Sequence, residues 1–215
     1  MLQTTKSFLV VVILCSSQPG LAQDWIARYD SLNDAALKLV VENEYNSATE
    51  LYAVAFELAE TKGDSYRAIE ARLMQGSWLM YGPHRDFAKA RQILINLENK
   101  YGDLFDIDQW AYFYRLMVWI NEHWGNFEEA LIQAEKAVEY AEISDDSVRL
   151  GRSLLDKANQ ERNLGKYKDS KETLLATLEI AIVDRNLYRD TNLLLFSSYI
   201  YLGEWDEGYE YLRAG

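Results

Sequence analysis

From Trp25 onward, apolar residues recur every three or four positions. Trp25, Tyr29, Leu32, Ala36 and Leu39 form one such stripe, and Ala48, Tyr52, Ala55 and Leu58 form the next. This is the period of an amphipathic α-helix with one buried face. A later pair repeats the scheme with Trp110, Tyr114, Met117, Asn121 and Trp124, then Phe127, Ala130, Ala134, Ala137 and Val138. Only two prolines and eleven glycines interrupt 215 residues. The chain therefore keeps the long unbroken stretches that helices need and strand-turn-strand folds rarely show. The pattern predicts an all-α fold.

A longer period lies over the helical one. A turn, an aromatic and, three positions on, a small residue recur five times. The aromatics are Tyr45, Phe87, Phe127, Tyr167 and Trp205, spaced by 42, 40, 40 and 38 residues, and their small partners are Ala48, Ala90, Ala130, Ser170 and Gly208. Small side chains at such places let two helix backbones approach closely. Fourteen residues after the first four aromatics lie Ala59, Tyr101, Ala141 and Ala181, followed by Thr61-Lys62-Gly63-Asp64, Gly102-Asp103, Ser144-Asp145-Asp146 and Asp184-Arg185-Asn186. Glycine accepts a left-handed conformation there, and Asp or Ser caps the next helix. Each unit thus reads as helix, short turn, helix, longer turn, giving about five antiparallel helix pairs. One pair cannot bury its stripe alone, so neighbouring pairs must stack.

The segments Gly125-Asn126-Phe127-Glu128-Glu129-Ala130, Gly165-Lys166-Tyr167-Lys168-Asp169-Ser170 and Gly203-Glu204-Trp205-Asp206-Glu207-Gly208 resemble the turn and second-helix start of the tetratricopeptide repeat family. The resemblance covers about residues 25–215, and the period near 40 is similar to the longer-helix variants of bacterial regulators and periplasmic arrays. It implies a right-handed solenoid over residues 23–215 whose first helices line a concave groove. It also implies a non-catalytic role in binding a protein or peptide. Transferred to this chain, that geometry implies groove positions Tyr112, Arg115, Trp119 and His123 in the third unit. Arg152, Asn159, Arg162 and Asn163 follow from the fourth, and Leu193, Ser197 and Tyr201 from the fifth. Tyr112, Arg115 and Trp119 fall at i, i+3 and i+7, and aromatic plus arginine is a composition that binding anchors favour. Trp119 is equally consistent with filling the seam between helices. The chain departs from the family pattern at the longer turn Gly82-Pro83-His84-Arg85-Asp86, and at Lys157 and Glu161, where apolar residues are usual. A clamp for acidic C-terminal peptides, as in chaperone-binding relatives, needs matched lysine and asparagine; the corresponding place here pairs Leu155 with Asn159, which disfavours that partner.

Charge and chemistry narrow the function further. The formal charge is −12, so a polyanion would be repelled and nucleic acid is not an expected partner. No phosphate-binding glycine loop, His-Glu-x-x-His, paired-cysteine spacing or Gly-x-Ser-x-Gly turn occurs. No enzyme activity, metal or cofactor is expected. Glu122 and His123 are sequence neighbours pointing about 100° apart on a helix, a poor start for a metal site. Asp103, Asp106 and Asp108 lack the order of a calcium loop, and Asp108 is expected to cap the helix that begins at Gln109-Trp110.

The first residues have the layout of an export signal: Lys6, the apolar run Phe8 to Cys15, then a polar, helix-breaking tail with small Gly20 and Ala22 before a cut. The run is far short of the roughly 20 residues that cross a bilayer. Residues 1–22 are therefore expected to be a signal peptide cleaved after Ala22. The mature chain is then periplasmic or secreted, has no stable membrane insertion, and lacks the lone Cys15; lipidation of Cys15 is a minor alternative. The fifth unit's second helix has room for about ten residues where earlier ones run near fifteen, so the last repeat reads as incomplete. A C-terminal continuation or a docking partner is expected at that uncapped end. Two functions follow: an exported scaffold that binds a protein or peptide in its groove, or the periplasmic input segment of a longer signal-transduction protein such as a kinase or transcription regulator.

Overall fold

The structure, a computed structural model, describes residues 24–214. The expected signal segment, its cut after Ala22 and Cys15 lie outside the described residues. Within them the chain forms ten α-helices and no strand: α1 (Asp24–Val41), α2 (Tyr45–Thr61), α3 (Ser65–Leu79), α4 (Phe87–Tyr101), α5 (Ile107–His123), α6 (Phe127–Ile143), α7 (Ser147–Asn163), α8 (Tyr167–Ala181), α9 (Arg185–Leu202) and α10 (Trp205–Ala214). A short 3-10 turn, Gly102–Leu104, follows α4. Consecutive helices pack as antiparallel neighbours, and α3, α5, α7 and α9 also touch one another in series. The first helices thus form one continuous layer of an all-α helical-repeat solenoid.

The repeat seen in the sequence is a repeat of backbone hydrogen bonds. The N–H groups of Glu44, Asp86, Asn126, Lys166 and Glu204 close on the carbonyls of Leu39, Leu79, Asn121, Glu161 and Tyr199 at 2.8–3.0 Å. Each bond ends a first helix and sets the next residue as the start of a second helix. Those starting residues are the five aromatics. Gly82, Gly125, Gly165 and Gly203 sit in the turns at φ between 74° and 79°, a region costly to a side chain with Cβ. Asn43 fills the same place in the first unit at φ 61°, as its short polar side chain allows. The small partners Ala48, Ala90, Ala130 and Ser170 are fully buried, and a Cβ on Gly208 would meet Tyr199 Cβ at 3.0 Å.

Aspartate caps every first helix after α1. Asp64, Asp106, Asp146 and Asp184 accept the N–H groups of Arg67, Gln109, Arg149 and Leu187. Asp106, rather than the expected Asp108, caps α5. Gln109 returns a hydrogen bond to the Asp106 N–H and completes a capping box, which puts Asp108 inside the first turn.

The core thins along the chain. One apolar cluster runs from Tyr29 on α1 to Ile120 on α5, whereas beyond α5 the clusters are small: Ala130 and Ala134 with Val118 of α5, and Ala158 with Leu174 and Leu195. Polar contacts take over there. Ser170 donates to the Ala158 carbonyl at 2.8 Å and lies 3.2 Å from the Ser198 hydroxyl. Glu161, 6% exposed, accepts from Thr173 at 2.9 Å and faces Lys157 at 3.6 Å. The two departures from the apolar pattern in α7 are thus an ion pair that satisfies itself.

Candidate functional site

The first-helix layer carries two cavities of about 270 and 290 Å3 that share Tyr66 and Glu70 of α3. Together they make a trough from α1 to α7. Its α1 end holds Tyr29 and Asn33, and its other end holds Tyr112, Arg115, Arg149 and Arg152. The repeat register explains the lining. The bonds that end α3, α5 and α7 place Tyr66, Asp108 and Val148 in equivalent positions, and likewise Arg67, Gln109 and Arg149, and Glu70, Tyr112 and Arg152. All nine side chains line the trough. It is therefore three columns on the N-terminal turns of the first helices, bordered by the edge of the apolar core at Tyr29 and Tyr112.

The charges are alternating and bridged. Arg149 donates to the Asp108 carbonyl at 2.9 Å and stands 3.5 Å from both the Asp108 and Asp146 carboxylates. Arg152 pairs with Asp184 at 3.0 Å. Arg115, 9% exposed, donates to Asp156 Oδ2 at 2.7 Å, and the Trp119 indole N–H donates to Asp156 Oδ1 at 3.2 Å. One carboxylate thus fixes two of the residues expected in the groove. Burial pushes the Tyr112 hydroxyl pKa up, with the Ser77 hydroxyl acting against it.

Burial also pushes the Glu70 carboxyl up from its ordinary value. The Gln109 amide at 3.2 Å opposes this, Asp106 and Asp108 add to it, and Arg149 acts against it. An acid whose folded pKa is raised binds its proton more tightly folded than unfolded. Its charge costs stability once the pH has passed that raised pKa, and the cost disappears as the group is protonated. In urea titrations from pH 7 down to pH 4.5, wild type should therefore gain stability relative to Glu70→Gln. Parallel curves would show that Glu70 is not desolvated.

Of the other expected groove residues, Asn159, Arg162 and Ser197 form a second polar line nearer the C-terminal ends of the first helices. Asn159 donates to Glu122 at 3.0 Å, and Arg162 donates to Asn159 at 2.6 Å and to Ser197 at 3.2 Å. Asn163 donates to Gln160 at 3.2 Å. Tyr201 lies flat on Tyr167, with ring centroids 4.6 Å apart, and His123 lies flat on Phe87 at 3.7 Å. These two rings cover turn aromatics. Leu193 is exposed on α9. Tyr66, Glu70, Gln109, Asp146, Arg149 and Asp156 were not anticipated. Carrying Tyr112 back by the 42-residue offset would have found Glu70; no sequence signal pairs Asp156 with Arg115.

Among the described residues, no group of three or more His, Cys, Asp or Glu is placed to hold a metal ion, and no helix is long and apolar enough to cross a membrane.

No family model matches the chain, and no curated protein matches it by sequence. Solved structures do match. A signal transduction ATPase with a tetratricopeptide repeat sensor from Pyrococcus horikoshii superposes with a TM-score of 0.73 at 19% identity over 86% of this chain; the chain spans only 28% of that protein's length. A kinesin light chain with nearly identical TPR-like repeats from Podosopora anserina gives 0.67 at 14% identity, covering 87% of this chain and 92% of that one. The MamA protein gives 0.56 at 13% identity, covering 86% and 88%. In fold the chain is therefore similar to tetratricopeptide-repeat solenoids, with its trough on the layer built by the first helices.

Proposed function

We propose that the chain is a non-catalytic scaffold that binds a protein or peptide segment along the trough. The observation that carries this reading is the set of three lining columns. They place Tyr66, Glu70, Tyr112, Arg149 and Arg152 around one recess, with Tyr112 also packed against the apolar core. Tyr66 is 58% exposed and offers apolar area at low entropic cost. The alternation of Glu70 with Arg149 and Arg152 suits a segment of mixed charge. The export reading joins this proposal: residues 1–22 act as a cleaved signal and the scaffold works in the periplasm or outside the cell.

Peptide-display selection on purified protein tests the binding reading, using Tyr66→Ala combined with Arg152→Ala. Neither substitution touches the core. Selected peptides should bind this variant at least about tenfold more weakly than wild type, the scale of an interface anchor. Equal binding would remove the trough from the proposal.

A second reading is the input segment of a longer signal-transduction protein. It is favoured by the Pyrococcus horikoshii protein, in which a tetratricopeptide repeat sensor belongs to a signal transduction ATPase of which this chain matches 28%. A transcript with an in-frame effector region beyond Gly215 would support it, and a stop codon at that point would overturn it.

A further inference from the structure

Every guanidinium that lines the trough has a carboxylate of its own. Arg67 pairs with Asp64 at 2.8 Å, Arg115 with Asp156 at 2.7 Å and Arg152 with Asp184 at 3.0 Å, and Arg149 lies between Asp108 and Asp146. Glu70 is the charge left over. Among the described residues no cation stands within salt-bridge distance of it, and its carboxylate takes one hydrogen bond, from the Gln109 amide to Oε1 at 3.2 Å. A half-buried carboxylate without a counter-ion costs stability, yet it sits where the two cavities meet. The α1 side of that point offers apolar walls as well as charge. Tyr29, Leu37, Tyr66 and Met74 line it, and its guanidinium, Arg67, is drawn aside to Asp64. The Glu70 charge raises the Tyr66 hydroxyl pKa more than burial does, in keeping with an exposed ring that stands beside the carboxylate.

We propose that Glu70 receives a lysine side chain of the bound segment, with the ammonium on Oε2 and the stem against Leu37, Tyr66 and Met74. This rests on the reading of the trough as the binding site and names what that site selects. Three features favour lysine. Gln109 already holds Oε1, so the planar two-point contact of an arginine would compete with it, whereas an ammonium needs only one oxygen. A four-carbon stem covers apolar wall while its head stays on the charge. Arg149 and Arg152, on the other side of Glu70, turn an incoming ammonium toward α1. Because Glu70 has already given up part of its hydration in the free protein, pairing removes a penalty instead of adding one.

The probes are peptides selected from a random display library on the wild-type chain, synthesised and titrated by calorimetry. Those weakened by Tyr66→Ala with Arg152→Ala should share a lysine. Glu70→Gln should weaken them at least about tenfold, the scale of losing one partner of a desolvated charge pair. Replacing the shared lysine by norleucine should weaken binding to wild type as much and leave binding to Glu70→Gln unchanged, since both changes remove the same contact. The norleucine peptide needs no change in the protein, so it decides the matter even if Glu70→Gln folds poorly. Trough-dependent peptides that lack a lysine, or that bind Glu70→Gln as tightly as wild type, overturn the inference and leave the trough reading standing. Peptides indifferent to Tyr66→Ala with Arg152→Ala overturn both. An equally tight hold on cadaverine would make a free amine the ligand and would overturn the lysine assignment.

Discussion

Replacing Phe113 by alanine is expected to lower the stability of this protein by about 3–5 kcal/mol, the cost of emptying a large buried aromatic site. Phe113 is 2% exposed and its ring meets Phe105, Trp110 and Tyr114 at centroid distances of 5.8, 5.6 and 5.5 Å. These rings lie on α5 and on the segment that leads into it. Phe113 also belongs to the apolar cluster that spans α1 to α5, whose side chains are held on packed helices, so the cavity should persist in part and its cost should fall at the high end of that range. The measurement is the urea-unfolding midpoint followed by far-ultraviolet circular dichroism. A loss below about 1 kcal/mol, typical of a site outside the core, would place Phe113 elsewhere. Because the apolar cluster is richest between α1 and α5, the same truncation should also lower the temperature at which the N-terminal pairs lose protection in hydrogen exchange.

Asp156→Ala is the second large expected loss, about 3 kcal/mol, and it acts through charge. The substitution removes the acceptor for both the Arg115 guanidinium and the Trp119 indole. It leaves a guanidinium whose side chain is only 11% exposed without its counter-ion, the circumstance in which breaking an ion pair is most damaging. The control is Arg115→Met with Asp156→Leu. That double variant removes both charges and should recover most of the loss, since apolar replacement of a buried pair is often close to neutral. A double-mutant cycle by urea denaturation separates the two outcomes. If Asp156→Ala costs less than about 1 kcal/mol, the range of exposed pairs, the bridge does not hold α5 to α7. The consequence for binding is geometric, because Arg115 lies at the edge of the trough and the bridge spans the two helices that form its basic end.

The legible part of this protein can be argued from particular residues. Tyr45, Phe87, Phe127, Tyr167 and Trp205 each begin a second helix because each follows the turn whose hydrogen bond ends the helix before it. A turn needs a residue able to adopt a left-handed conformation, so glycine recurs beside the aromatic and the period becomes visible. Capping was legible as a residue type and misplaced by two positions at α5, where Asp106 and Asp108 are both good caps. The reciprocal bond from Gln109 decides for Asp106. The trough was legible in part. Tyr112, Arg115 and Arg152 line it, whereas Tyr201 and His123 lie flat on the turn aromatics Tyr167 and Phe87.

Local chemistry set by the sequence alone determined the helices, their order, their turns and the small-residue columns on which they stack, because each depends on residues within a few positions of one another. Tertiary structure decided which polar side chains share a recess and which carboxylate meets which guanidinium. Arg115 and Asp156 are 41 residues apart, and their meeting depends on how one repeat rotates on the next. That rotation is the sum of many packing contacts, and no short stretch of chain encodes it.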